Sequence, residues 1–362
     1  MRIGVLGGGQ LGRMLALAGI RLGHEFVFLE PGGEAVRGLG TLVTGSATDP
    51  AALDRLTTQV DVVTYEFENV PESAARAVAT RVPVFPPPEA LGVAQDRVIE
   101  KTFFRDLGIP TARFLAVDTR AGFDRAVETM GLPAVLKTRR LGYDGKGQQR
   151  LAVPADLGPA WGALGGMPLV LEAFVPFTRE LSIIAVRGRA GSLAFYPLVE
   201  NHHRDGILRL SLAPAPGVTP ALQRTAEEYA TRVLERLEYV GVLAIELFEV
   251  DGELVANEMA PRVHNSGHWT IDGAVTSQFE NHVRAVAGQP LGATTTWGAV
   301  AMVNLIGTIP EPSGLLAVPE ARVHLYGKAP RPGRKVGHVT LVGADPAALR
   351  PTLARVARLV GG

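Results

Sequence analysis

Apolar runs at residues 2–6, 26–29 and 61–65 read as buried strands, and residues 10–22 and 50–58 carry apolar positions at helical spacing. Strand and helix alternate, which predicts a parallel sheet covered by helices. Pro86, Pro87 and Pro88 can continue neither a helix nor a central strand, so the first unit ends there. From Glu89 the pattern changes to a helix over 89–107, strands at 113–117 and 134–138, and a glycine-rich segment at 142–148. Further strands follow at 169–174, 180–187, 193–199 and 207–212, then a helix at 220–237 and a hairpin over 242–259. The last part has strands at 300–305, 323–326 and 339–342 and a helix at 346–359, the makings of a small cap. The fold class is therefore α/β followed by α+β, in three units at 1–88, 89–290 and 291–362.

At 362 residues and 46% hydrophobic, the chain can bury a large core spread over two or three domains. The 36 basic and 36 acidic residues balance, so no global field draws it to nucleic acid or an anionic membrane, and any anion site must be local. Cysteine is absent, which removes disulfides, thiolate nucleophiles and cysteine-held metals. No apolar run reaches about 18 residues, so no spanning helix is expected, and without a leader pattern the cytoplasm is the expected location. Only five lysines stand against 31 arginines. Lys137, Lys146, Lys328 and Lys335 fall in unusual segments, while Lys101 sits on what reads as an ordinary amphipathic helix.

Gly7, Gly9 and Gly12 form GxGxxG after the first strand, and Glu30 closes the second strand where a ribose-binding acid would stand. Such a loop allows an anion to approach a helix N-terminus, so it argues for a phosphate and not for a nicotinamide. Glycines that merely permit close strand–helix packing are the plainer alternative. An NAD-dependent dehydrogenase rests on these residues alone.

The segment GYDGKGQ places three glycines between two predicted strands, with Lys137 on the incoming one. Its backbone can fold over phosphates while lysine supplies charge, although the ending of a P-loop is missing. In AIELFEVDGELVANEMAPR, a three-residue loop at Asp251, Gly252 and Glu253 would oppose Glu246 and Glu258. Opposed carboxylates about 4.5–5.5 Å apart at Cβ destabilise a sheet unless a cation sits between them, and magnesium carrying nucleotide phosphates is such a cation. A two-residue turn would instead oppose Glu246 and Asn257. The following Arg262, His264, Asn265 and His268 form a donor-rich anion site. The four-residue spacing of the two histidines suits a helical zinc pair less well, because the glutamate of that motif is missing and Gly267 weakens a helix.

Together, GGGQLGRM, GYDGKGQ, YPLVENHHRDGIL, NEMAPRVHNSGHWT and YGKAPRPGRKVGHV resemble the 5-(carboxyamino)imidazole ribonucleotide synthases, a family of ATP-grasp ligases, over the whole chain. The resemblance implies an ATP-grasp fold with a Rossmann-like N-terminal domain that no longer uses NAD, a lid subdomain around 115–180, and a small C-terminal cap. It implies ATP contacts from Arg97, Lys137, Gly142, Tyr143, Asp144, Gly145, Lys146, Gly147, Gln148, Glu172, Ala173, Phe174, Val175, Glu180, His203 and Asn257. Magnesium falls to Glu246 and Glu258. The ribonucleotide falls to Gln10, Glu66, Asp144, Lys146, Lys328, Arg334 and Lys335, and the bicarbonate-derived intermediate to Arg262, His264 and Asn265. The implied reaction is ATP-dependent carboxylation of aminoimidazole ribonucleotide by bicarbonate in purine biosynthesis, carried out by a homodimer. Rival readings are the formate-dependent glycinamide ribonucleotide transformylase, a biotin carboxylase, or a nucleotide-binding regulatory module without turnover.

Overall fold

The structure, a computed structural model, describes residues 1–142 and 145–361. Four short apolar strands, β1 (Arg2–Leu6), β2 (Glu25–Leu29), β3 (Thr41–Val43) and β4 (Val62–Tyr65), pair in parallel in the order β3-β2-β1-β4. Helices α1 (Gln10–Ile20), α2 (Pro50–Thr57) and α3 (Glu72–Ala79) cover them. The helix expected over 89–107 is two helices, α4 (Pro88–Ala94) and α5 (Arg97–Asp106). Asp96 breaks it: its Oδ1 accepts the Val98 N–H at 3.0 Å and caps α5, which leaves Arg97 at the first helical position.

A second sheet runs β5 (Phe114–Val117), β6 (Ala134–Thr138), β7 (Gln148–Leu151) and β8 (Leu169–Ala173), ordered β5-β8-β6-β7 and flanked by α6 (Arg120–Met130) and α7 (Leu157–Leu164). Its register opposes Val135 and Glu172, so Lys137, two residues along, shares a face with Glu172.

The third sheet has nine strands: β9 (Arg179–Arg187), β10 (Leu193–Phe195), β11 (Val199–Arg204), β12 (Ile207–Ala213), β13 (Gly241–Val250), β14 (Glu253–Ala260), β15 (Ala299–Ile306), β16 (Ala321–Leu325) and β17 (Lys335–Gly343). The main path is β14-β13-β9-β11-β12-β15-β17-β16, with β10 on β9. The strand expected over 193–199 is thus two, because the chain leaves β9 after Phe195 and re-enters as β11. The C-terminal strands prolong the same sheet: β15 pairs with β12, Leu210 opposite Val303 and Ala213 opposite Val300. The remaining helices are α8 (Pro220–Arg236), α9 (Thr270–Gly273), α10 (Gln278–Ala287), α11 (Pro312–Leu316) and α12 (Pro346–Leu359). One buried cluster joins Leu11 and Phe28 of the first unit to Tyr196, Trp269 and Phe279 of the second and to Met302 and Tyr326 of the third. No described helix is long and apolar enough to cross a membrane.

Candidate active site

The β13–β14 hairpin turns through Asp251 and Gly252, with φ of 50° and 83°, and Val250 pairs with Glu253. Two left-handed residues in the order Asp-Gly make the two-residue turn that suits strand twist. This corrects the three-residue loop expected above. Carried along the strands, that turn would oppose Glu246 and Asn257, but a bulge between Glu246 and Leu247 inserts Asn257 as an extra residue and restores the pairing of Glu246 with Glu258. The acids face each other because of the bulge. Glu246 lies 3.2 Å from His264 Nε2 and Glu258 lies 2.6 Å from Arg97 Nη1. Burial works against the Glu246 charge, yet the His264 hydrogen bond and the nearby His203 and Lys335 hold its pKa at about 2. The Asn257 Oδ1 is buried and has no partner.

Behind these acids stands a buried chain of charge. Lys137 Nζ donates to Glu172 Oε2 at 2.8 Å, and Lys101 Nζ reaches the same oxygen at 3.3 Å while donating to the Asn257 carbonyl at 3.0 Å. Lys101 does sit on an amphipathic helix, α5, but its side chain is fully buried, so the position is not the ordinary one expected. Its neighbour Glu100 accepts the Met259 N–H at 2.7 Å, and burial, reinforced by Glu258, pushes its carboxyl up to about 8. Burial also opposes the charge on Glu172, but Lys101 and Lys137 outweigh it and bring the pKa from 4.5 to about 2. A carboxylate depressed in the folded state adds stability above its unfolded pKa and loses it as pH falls through the folded value. Glu172 should therefore contribute about 3 kcal/mol that disappears between pH 4.5 and about 2. Urea midpoints across that window should fall more steeply for the wild type than for Glu172→Gln; parallel curves would contradict the pairing.

The glycine loop holds an anion of its own. Glu66, one residue beyond β4, accepts the Gly9 and Gly12 N–H groups, and Glu30 accepts the Gly8 N–H at 3.2 Å. A Cβ at Gly7, where φ is +111°, would meet Glu66 Cγ at 2.5 Å. The phosphate expected at this helix N-terminus is thus replaced by a side-chain carboxylate, and the glycines make room for it. Burial raises the Glu66 pKa against those two hydrogen bonds. Beside it, Lys328 Nζ donates to Gln10 Oε1 at 2.6 Å. Burial, then the charges of Arg334, Arg331 and Lys335, lowers Lys328 to about 8, while Glu66 opposes them.

Arg262 Nε donates to Glu68, and its Nη1 donates to the Val263 carbonyl at 2.9 Å. Its charge couples to Glu68, Glu66 and Glu246, so it stands between the glycine-loop carboxylate and the opposed acids. Asn265 and Asn304 exchange amide hydrogen bonds at 3.0 and 2.8 Å. His264 turns to Glu246 and Ser266, whereas His268 turns to Asn265 and Tyr326. The helical zinc pair is therefore not formed: the segment is a 3₁₀ turn, Asn265–Gly267, the two rings turn to different partners, and no group of three or more His, Asp or Glu side chains placed to hold a metal occurs among the described residues.

The ribonucleotide synthetase preATP-grasp domain matches residues 1–95, the ATP-grasp domain 102–279, and the phosphoribosylaminoimidazole carboxylase C-terminal domain 300–352. The N5-carboxyaminoimidazole ribonucleotide synthase of Pseudomonas aeruginosa is 55% identical over 361 residues, covering 99% of each chain. This chain belongs to the N5-carboxyaminoimidazole ribonucleotide synthase family of ATP-grasp ligases. The crystal structure of the synthetase from Thermus thermophilus is similar with a TM-score of 0.95, 57% identity and 99% coverage of both chains. That of the Aspergillus clavatus synthase in complex with ADP and 5-aminoimidazole ribonucleotide gives 0.91 and 33%, over 99% of this chain and 98% of the other.

In this member of the synthase family, one cavity of about 1660 Å³ runs from the glycine loop to the second sheet. It is lined by Gln10, Glu66, Arg97, Lys137, Gly142, Gly145, Lys146, Gln148, Glu172, Ala173, Phe174, Val175, Glu180, His203, Glu246, Asn257, Glu258, Arg262, His264, Asn265, Lys328, Arg334 and Lys335. Gly147 instead turns toward Thr138, whose Oγ1 a Cβ there would meet at 2.6 Å. Tyr143 and Asp144 lie outside the described residues. Glu68, Glu100, Lys101, Ser266, Asn304 and Tyr326 belong to the site's hydrogen-bond network and were not singled out from sequence. Lys101 carried a signal: in a chain so poor in lysine it stands four residues after Arg97, on the same face of one helix.

Proposed function

We propose that this synthase uses ATP and bicarbonate to carboxylate the exocyclic amine of 5-aminoimidazole ribonucleotide, forming 5-(carboxyamino)imidazole ribonucleotide, ADP and phosphate in purine biosynthesis. The observation that carries the reading is a single cavity with two chemically different ends. One end has opposed acids beside Arg97 and Lys137, suited to a metal-bound triphosphate. The other has Gln10, Glu66, Lys328, Arg334 and Lys335, suited to a sugar phosphate.

The donor set fits magnesium: two carboxylates and the unpartnered Asn257 Oδ1 are hard oxygen ligands, and a magnesium site of this kind leaves other positions to water and phosphate. Glu246 and Glu258 would hold it, and when bound it neutralises phosphate charge. Bicarbonate attacks the γ-phosphate of ATP, giving ADP and carboxyphosphate. Lys137 and Arg97 face the negative charge that spreads during transfer. Arg262, His264 and Asn265 hold the carboxyphosphate, which releases carbon dioxide and phosphate beside the amine. Gly145 lies against the β11–β12 turn, and the loop to which it belongs with Gly142 and Lys146 excludes water when it folds over the phosphates. Asp144 accepts the proton that the amine loses as its new carbon–nitrogen bond forms.

Asp144→Asn should reduce carboxylation far more than ATP binding; equal losses would contradict the proton role. The reaction is tested by coupled detection of ADP, which should require both bicarbonate and aminoimidazole ribonucleotide. Release supported by formate plus glycinamide ribonucleotide, or by biotin, would transfer the chain to another ATP-grasp activity, and ATP binding without turnover would make it a regulatory module. Since Glu66 and Glu30 fill the glycine loop, NADH titration should leave nicotinamide fluorescence unchanged. The units 1–88, 89–290 with a lid around 115–180, and 291–362, assembled as a cytoplasmic homodimer, complete the proposal. Sedimentation at the mass of two chains would support the dimer.

A further inference from the structure

Below His264 lies a run of buried polar side chains with no evident part in substrate contact. Ser211 Oγ donates to Asn201 Oδ1 at 2.8 Å, Asn201 Nδ2 to Ser182 Oγ at 2.9 Å, and Ser182 Oγ to Ser266 Oγ at 2.8 Å. Ser266 Oγ is 2.8 Å from His264 Nδ1. All four partners are buried, Ser182 and Ser266 completely. Three hydrogen-bonded strands of the large sheet, β9, β11 and β12, supply Ser182, Asn201 and Ser211, so the run is anchored in the sheet interior.

The polarity of this run is fixed at one end by a group that cannot reverse. The Ser266 backbone N–H, 3.3 Å from His264 Nδ1, can only donate, since an amide nitrogen has no lone pair to offer, and through this contact His264 caps the 3₁₀ turn Asn265–Gly267. Nδ1 must therefore be the acceptor. The Ser266 hydroxyl then also points its proton at Nδ1, so its oxygen needs an outside donor, which is Ser182. Ser182 in turn needs the Asn201 amide nitrogen, and the Asn201 oxygen receives Ser211. Each hydroxyl has one proton, and every contact is satisfied in one direction. The His264 backbone is clamped as well: its N–H donates to Gln278 Oε1 at 3.0 Å and its carbonyl accepts from Gln278 Nε2 at 2.6 Å.

With Nδ1 committed as acceptor, the proton of a neutral His264 sits on Nε2, which faces Glu246 Oε1 at 3.2 Å on the cavity side. We infer that Ser266, backed by Ser182, Asn201 and Ser211, is a positioning residue that locks His264 in the Nε2–H tautomer and so keeps an N–H donor aimed into the cavity. A donor fixed in that direction is placed to hold an anionic intermediate in the cavity. This role for His264 rests on the function proposed above; the tautomer does not.

The test begins with ligand-free, metal-free protein labelled with ¹⁵N only in histidine, held at mildly alkaline pH where imidazoles are neutral. His264→Asn assigns the resonance. A pyridine-type Nδ1 with a pyrrole-type Nε2 is expected, and the reverse pattern overturns the inference whatever the enzyme's activity. Ser266→Ala should mix the two tautomers and lower kcat about tenfold, the worth of one good hydrogen bond, with the KM for ATP unchanged. Ser266→Thr, which keeps the hydroxyl, should restore both. An alanine variant with the wild-type tautomer and kcat would show that Ser266 is packing alone. If that variant does not fold, the wild-type spectrum still decides. An enzyme inactive toward aminoimidazole ribonucleotide with the expected spectrum would sink the proposed reaction and leave the tautomer standing.

Discussion

Arg262→Ala should lower kcat for ribonucleotide-dependent ADP release by about three orders of magnitude, the size of effect seen when a preorganised donor to a developing oxyanion is removed. The side chain is anchored twice, by Glu68 and by the Val263 carbonyl, so little reorganisation accompanies the reaction. Its charge also couples to both Glu66 and Glu246, at the two ends of the cavity. Because no contact with the β13–β14 acids is direct, the KM for ATP should change little. Steady-state kinetics with the ribonucleotide saturating would measure this. A rise in that KM as large as the fall in kcat would place Arg262 among the nucleotide contacts instead. Removing the guanidinium strands the half-buried Glu68, so Arg262→Ala combined with Glu68→Gln should recover stability without recovering rate.

Lys101→Met should cost about 3–5 kcal/mol of stability although the residue touches no substrate in the proposed mechanism. Its ammonium is fully buried and shares Glu172 with Lys137. Burial pulls the Lys101 pKa down, and the Glu172 carboxylate is the chief force against that. Deleting Lys101 leaves Lys137 as the one ammonium in contact with Glu172, with Arg97 acting from farther off, which draws the lysine toward the sheet and away from the cavity, so the KM for ATP should rise as well. The double change Lys101→Met with Glu172→Gln removes both charges and should unfold at a urea concentration nearer the wild type than the single variant does. A single variant with the wild-type urea midpoint would show that the pair is not coupled.

The alternation of apolar runs with helical spacing was enough to place β1, β2 and β4 with α1 and α2, though not α3, since each strand is buried on both faces. Short edge elements escaped notice: β3 is three residues with only Val43 buried, and β7 exposes Gln148, Gln149 and Arg150. The opposed acids were legible for the wrong reason. Turn chemistry at Asp251-Gly252 reads correctly as two residues, but nothing in the local pattern announces the bulge at Asn257, on the edge strand β14. GxGxxG misled for a related reason. The pattern records room for an anion at the start of α1 and says nothing about whose anion it is; Glu66 lies 54 residues beyond Gly12 and meets it only through the sheet. Lys101 was misjudged because amphipathic spacing cannot distinguish a solvated lysine from one buried against a partner 71 positions away, Glu172.

The junction of β12 with β15 means that the last third of the sheet cannot be trimmed without consequence. A truncation before Ala299 would strip β12 of one whole neighbour and lay bare a row of amide and carbonyl groups between apolar side chains such as Leu208, Leu210 and Leu212. A naked border of that kind recruits other chains. The shortened protein should accumulate as aggregates even though every ATP-grasp residue is still encoded, so the terminal segment acts as the selvedge of the sheet as much as a wall of the pocket.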